Sequence, residues 1–205
     1  MNCDAMPLRS RLLAPLLPLA LLAACAQSPY PASDEPPPLE GASIGGDFTL
    51  TDETGGPVSW SDFEGRYRTI YFGYAYCPDA CPTDVQRTMA GLKRFAAEEP
   101  ERAAKVQPLF VSVDPDRDTP EVLADFTDAF HPDLIGMTGS EETLREVART
   151  FGVTFSKGAE QPGGGYLMSH SEYTFLYGPD GKPIASLPTD LGPEAVAAEL
   201  GKWVR

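Results

Sequence analysis

From Asp47 to the C-terminus, apolar positions come in short blocks whose spacing switches between period two and period three or four. Asp47-Phe48-Thr49-Leu50 and Val58-Ser59-Trp60 alternate on either side of Asp52-Glu53-Thr54-Gly55-Gly56, which predicts a β-hairpin with a glycine-rich turn. Thr69-Ile70-Tyr71-Phe72-Gly73-Tyr74 is almost continuously apolar and suits a central strand covered on both faces. Val85, Met89, Leu92 and Phe95 then recur at helical spacing, and Val106 to Val113 forms the next buried strand. Thr119-Pro120-Glu121 opens a helix with a capping hydroxyl, a proline in the first turn and a carboxylate at the positive end of the dipole. A further helix follows Ser140-Glu141-Glu142, with Leu144, Val147, Ala148 and Phe151 on one side. Glu172 to Tyr177 and Lys182 to Leu187 flank the turn Gly178-Pro179-Asp180-Gly181. Gly192-Pro193-Glu194 starts a closing helix with Val196, Leu200 and Trp203 or Val204 inward.

The order β, α, β, α, β-hairpin, α around a mixed sheet predicts an α/β thioredoxin-like fold with an added N-terminal β-hairpin and an inserted helix. The one long stretch without an assigned element, Ser156 to Met168, holds three consecutive glycines and reads as a mobile loop.

The N-terminus follows a different pattern. Arg9 and Arg11 precede a thirteen-residue run, Leu12 to Ala24, interrupted by Pro15 and Pro18. At about 1.5 Å per residue it covers roughly 20 Å as a helix, too little for a ~30 Å hydrocarbon core. It ends Leu22-Ala23-Ala24-Cys25, which resembles a bacterial lipobox, so residues 1–24 read as a signal peptide and Cys25 as the lipidated N-terminus. Residues 25–44, with five prolines after the cysteine, read as an exposed, semi-rigid tether, and residues 45–205 as the folded domain. The expected location is the bacterial cell envelope, anchored to membrane by lipid and facing the periplasm. A formal charge of −14 argues against nucleic acid as a partner and fits solubility or a basic protein surface.

The chemistry centres on Cys77-Pro78-Asp79-Ala80-Cys81-Pro82, where a strand runs into a helix. Cysteines four apart share a helix face, with Cα atoms about 6 Å apart, close enough for a disulfide or for one metal. Unpaired N–H groups and the dipole at a helix start are expected to lower both thiol pKa values. A disulfide closing so short a loop constrains the unfolded chain little, so a structural role is poorly motivated. Thioredoxin-type exchange usually has a two-residue spacing, against three here. Two thiolates with one imidazole suit copper, and zinc accepts the same set with water as a fourth ligand. Of the two histidines, His131 lies at a helix end and reads as structural, whereas His170 precedes the Glu172–Tyr177 strand, on a loop that a thioredoxin-like fold places beside the cysteines.

Several stretches together carry a family resemblance: Gly46 to Asp52, Tyr71-Phe72-Gly73-Tyr74 running into Cys77 to Pro82, and Val111-Ser112-Val113-Asp114-Pro115-Asp116-Arg117-Asp118-Thr119-Pro120. Gly136 to Gly139, Phe151-Gly152-Val153, and His170-Ser171 leading to Tyr177 to Gly181 complete the set. In this order, over about residues 45–203, the chain resembles the Sco/SenC copper proteins of cytochrome c oxidase assembly. The resemblance implies copper, as Cu(I) or Cu(II), held by Cys77, Cys81 and His170. It also implies a metallochaperone that serves oxidase subunit II in building its Cu(A) centre, by delivering copper or by reducing that subunit's cysteines. Another exported copper enzyme is the alternative client. Asp114 matches a family position close to the site, and Met168 offers a soft sulfur two residues before His170. The rival reading is a tethered thiol–disulfide oxidoreductase that uses Cys77 and Cys81 as its redox pair and has no need of His170.

Overall fold

The computed structural model describes residues 28–205; the segment read as a signal peptide and Cys25 lie outside the described residues. The expected hairpin is present as β1 (Thr49–Asp52) and β2 (Pro57–Ser59). β3 (Tyr67–Gly73) and β4 (Val106–Ser112) pair in parallel, each buried along its whole length, as strands covered on both faces must be. Between them run α1 (Ala80–Glu98) and a one-turn α2 (Pro100–Ala103). α3 (Pro120–Asp128) is capped by the Thr119 hydroxyl and α4 (Glu141–Thr150) by that of Ser140. β8 (Thr174–Tyr177) and β9 (Pro183–Leu187) form the predicted second hairpin, and α5 (Pro193–Trp203) closes the chain.

Three strands go beyond the sequence reading. β5 (Ile135–Thr138) lies in the sheet beside β4, giving seven strands in the order β2-β1-β5-β4-β3-β8-β9. β6 (Phe155–Glu160) and β7 (Tyr166–His170) form a separate two-stranded hairpin where a structureless loop was expected. Gly163, Gly164 and Gly165, all at positive φ, turn this hairpin, which explains why three glycines stand in a row.

One core cluster joins the sheet to α4 and the N-terminal hairpin through Phe48, Trp60, Phe72, Phe151 and Tyr177. A second joins α1 and α5 to β8 and β9 through Phe95, Leu176, Leu187, Val196 and Leu200. Each of these large side chains contributes on the order of 1.5–3 kcal/mol by burial. Ahead of the expected domain start at Gly45, backbone bonds already hold the chain: Ser33 N–H donates to Lys202 O at 3.1 Å and Leu39 N–H to Ile184 O at 3.0 Å.

Candidate metal centre

β3 ends at Gly73, and the chain turns through Tyr74 to Asp79 into α1, so Cys77 sits in the turn and Cys81 in the first turn of the helix. Gly73 is needed there. A Cβ on it would lie 3.0 Å from Cys81 Sγ and 2.7 Å from the Tyr71 ring, so any other residue would push into the space beside the sulfur. β7 delivers His170 from the opposite side.

The three side chains meet: Cys77 Sγ, Cys81 Sγ and a His170 ring nitrogen all lie within 4.8 Å of one another, and both cysteines are free thiols. Cys81 N–H donates to Cys77 Sγ at 3.4 Å, holding that sulfur over the helix start. His170 Nδ1 is 3.0 Å from the Ser171 carbonyl, which can only accept, so Nδ1 carries the proton. Nε2 is left with its lone pair facing Cys81 Sγ at 3.1 Å. The tautomer thus presents an unprotonated nitrogen to the sulfurs, as a metal-binding imidazole must, with its other nitrogen fixed by a carbonyl. The rings of Tyr71 and Tyr74 stand edge-on to the imidazole at 6.0 and 5.9 Å and fix its plane. Burial and, next, the nearby Cys77 push the Tyr74 hydroxyl up to about 12, and burial raises Tyr71 further, so both stay neutral against the sulfurs.

One expectation is overturned. Cys81 is wholly buried, and burial, with the neighbouring Cys77 next, raises its thiol pKa instead of lowering it. Desolvation at this depth outweighs the helix dipole. The buried thiol therefore waits as a neutral donor to His170, and a metal entering the site must displace its proton.

Asp114 is not part of this three-residue group. It is buried, accepts the Tyr166 hydroxyl at 2.7 Å through Oδ1 and pairs with Arg117 Nε at 2.5 Å through Oδ2. Arg117 also donates to the Tyr166 carbonyl at 3.0 Å and stacks over that ring at 3.8 Å, and Lys157 pairs with Asp116 at 2.8 Å. These contacts latch the β6–β7 hairpin, and His170 with it, to the loop after β4. Met168 is half-buried against the main core. His131 caps a turn, its Nδ1 accepting from Asp133 N–H at 3.1 Å. Arg117, Tyr166, Tyr71 and Tyr74 carry roles that no single residue pattern revealed. Tyr166, Met168 and His170 do alternate with exposed neighbours, a strand signal hidden by the glycines before it.

Residues 36–205 match the family model described as SCO1/SenC. The chain is similar to Protein SenC of Rhodobacter capsulatus, 39% identical over 161 residues, which cover 78% of this chain and 70% of that one. It is 38% identical over 144 residues to the mitochondrial Protein SCO2 homolog of Bos taurus, covering 70% and 53% of the two chains. It spans about half the length of the mitochondrial relatives it matches. Among solved structures, ScoI of Bradyrhizobium japonicum with copper bound superposes with a TM-score of 0.69, at 34% identity, over 77% of this chain and 97% of that one.

Proposed function

Because this chain belongs to the SCO1/SenC family, we propose that it is a copper metallochaperone that binds one ion through Cys77, Cys81 and His170. We further propose that it surrenders that ion to cytochrome c oxidase subunit II during assembly of the Cu(A) centre. The observation that carries this is the meeting of two free thiols with an unprotonated imidazole nitrogen, 3.1 Å from Cys81 Sγ, at one end of the sheet. Two thiolates and a neutral imidazole give a neutral core around Cu(II) and a core of charge −1 around Cu(I). A site with so small a charge can hold either state. The related ScoI was solved with copper bound, which supports copper over zinc.

Among the described residues no helix is long and apolar enough to cross a membrane. Acylation of Cys25 would supply the membrane attachment, and the bacterial cell envelope, facing the periplasm, is the location this reading requires.

The test is copper stoichiometry and thiolate-to-copper absorption on the wild type and on Cys77→Ala, Cys81→Ala and His170→Ala. The wild type is expected to bind one copper and each variant to lose at least a hundredfold in affinity. Insulin reduction measured on the same four proteins separates the rival. A His170→Ala protein that keeps wild-type Cu(II) absorption, or that keeps strong reductase activity shared by the wild type, would favour the thiol–disulfide oxidoreductase.

A further inference from the structure

Four large hydrophobic side chains stand exposed among the described residues: Tyr76, Leu167, Tyr173 and Leu191. Three of them flank the metal ligands in the chain. Tyr76, 54% exposed, precedes Cys77; Leu167, 46% exposed, and Tyr173, 55% exposed, lie three residues to either side of His170. A soluble domain scatters its exposed apolar residues, and Leu167 alternates with His170 on β7 and faces away. Tyr76, however, stands beside the cysteine turn, and Tyr173 lines a groove with Asp79 and Ala80 at the start of α1. Two exposed rings bordering one site mark a surface meant to be covered. Tyr76 is also braced, with the Arg117 guanidinium 5.3 Å from its ring, and Tyr173 leans on Phe175 at 5.8 Å. Both rings are held ready, so little side-chain entropy is lost when a partner covers them.

Beside Tyr173 runs a groove of about 720 Å³ whose charged lining is Asp79, Asp84, Glu172, Asp190 and Arg87. Arg87 is engaged with the Thr189 carbonyl at 3.2 Å, and Asp84 lies 3.4 Å from the Tyr71 hydroxyl. Asp79, Glu172 and Asp190 form no ion pair among the described residues. Four carboxylates against one committed guanidinium leave the groove strongly negative beside an aromatic rim.

We propose that this pole is a docking surface for a protein partner whose facing surface has an apolar centre and a basic rim, with Tyr76 and Tyr173 covered in the complex and the groove taking the partner's cations. It rests on the metallochaperone reading, since the surface borders the turn that carries Cys77 and Cys81 and names the kind of partner that receives the ion. Aromatic anchors then set how long the complex lasts, and the carboxylates set how fast it forms.

The probe is the copper-free soluble domain of subunit II, mixed with the copper-loaded full chain in detergent while transfer is followed by stopped-flow absorption. Tyr173→Ser and Asp190→Lys touch none of the three ligands and are expected to load one copper with unaltered absorption. Each should lower the second-order transfer rate tenfold or more. Rising ionic strength should slow the wild type several-fold and the Asp190→Lys variant less. Transfer by the wild type that both variants match would overturn the docking surface and leave the metallochaperone intact. Absence of transfer from a fully loaded wild type would instead overturn subunit II as client, and with it the role given to this surface.

Discussion

At the scale of single residues, the buried carboxylate of Asp118 shows how the fold spends stability to shape the site. Its Oδ2 accepts from Ala75 N–H at 3.0 Å and from the Ser112 hydroxyl at 2.6 Å, which pins the turn leading to Cys77. Oδ1 is buried without a partner. Burial first, and the charge of Asp114 to a lesser degree, raises this carboxyl's pKa. A carboxyl whose folded pKa lies above its unfolded value binds its proton more tightly in the folded state. Its contribution is therefore greatest in acid and is lost as pH rises through the folded pKa. Asp118→Asn keeps an acceptor for both donors and removes that loss. In urea unfolding, the stability difference between variant and wild type should shift in the variant's favour from about pH 4 to about pH 7. A difference that stays constant over this range would show that Asp118 does not carry the buried charge. That Cys77, Cys81 and His170 would meet was legible, because cysteines and histidines are scarce in this chain and their positions could be weighed one by one. The thiol pKa was not. Spacing reveals a helix start, but the depth at which Cys81 is buried depends on Phe110, Tyr71 and Gly73 closing around it.

At the scale of elements, strands and helices with their own periodicity were readable, and those lacking it were not. β5 is four residues long, with Gly136 at its second position, too short for alternation to register. Arg68, on β3, is buried with its guanidinium 4.4 Å over the Trp60 ring, a charge that a purely apolar strand reading leaves out. The β6–β7 hairpin is the most consequential difference, since it turns an expected floppy approach to His170 into a latched one. Arg117 is the latch, joining Asp114, the Tyr166 carbonyl and the Tyr166 ring in one grip. Arg117→Ala should leave Asp114 buried without its counter-charge, at a cost of about 3 kcal/mol. Amide exchange across residues 155–170 should accelerate, and copper affinity should fall on the order of tenfold as His170 loses its fixed approach. Lysine, without the planar fork, should rescue little. Wild-type exchange protection in the Arg117→Ala hairpin would mean that the strand pairing alone holds it in place.

At the scale of the whole molecule, the two ends of the central sheet have different tasks. Cys77, Cys81 and His170 gather beyond the C-terminal end of β3, while the segment from Ser28 docks near its start. Tyr30 lies edge-on to Phe95 at 5.7 Å, and Arg102 donates to its carbonyl at 3.2 Å and to the Val204 carbonyl at 2.9 Å. The C-terminal Arg205 donates its N–H to the Tyr67 hydroxyl at 3.1 Å and a guanidinium N–H to the Ser33 carbonyl at 3.3 Å. β3 separates this seat from the cysteine turn by about 20 Å. Five residues from Tyr30 back to Cys25 reach at most about 18 Å. A lipid on Cys25 would therefore hold the strapped end toward the membrane and leave the copper pole facing away from it. The seat depends on Gly201, where a Cβ would run into the Cβ and ring of Tyr30. Its substitution separates a docked strap from a free one by sign. Gly201 lies inside α5, so alanine there should stabilise the helix by about 1 kcal/mol if nothing sits against it. With Tyr30 in place, Gly201→Ala should instead destabilise by about 1–3 kcal/mol, because the ring must leave or the helix must shift. In a Tyr30→Gly background the same alanine should return to neutral or stabilising, giving a coupling energy of at least about 1 kcal/mol between residues 171 positions apart in the chain. Copper binding should be unchanged throughout, since the strap and the ligands stand at opposite poles. Gly201→Ala that stabilises the protein with Tyr30 present would show the segment to be free in solution, and the orientation it imposes on the copper pole would fall with it.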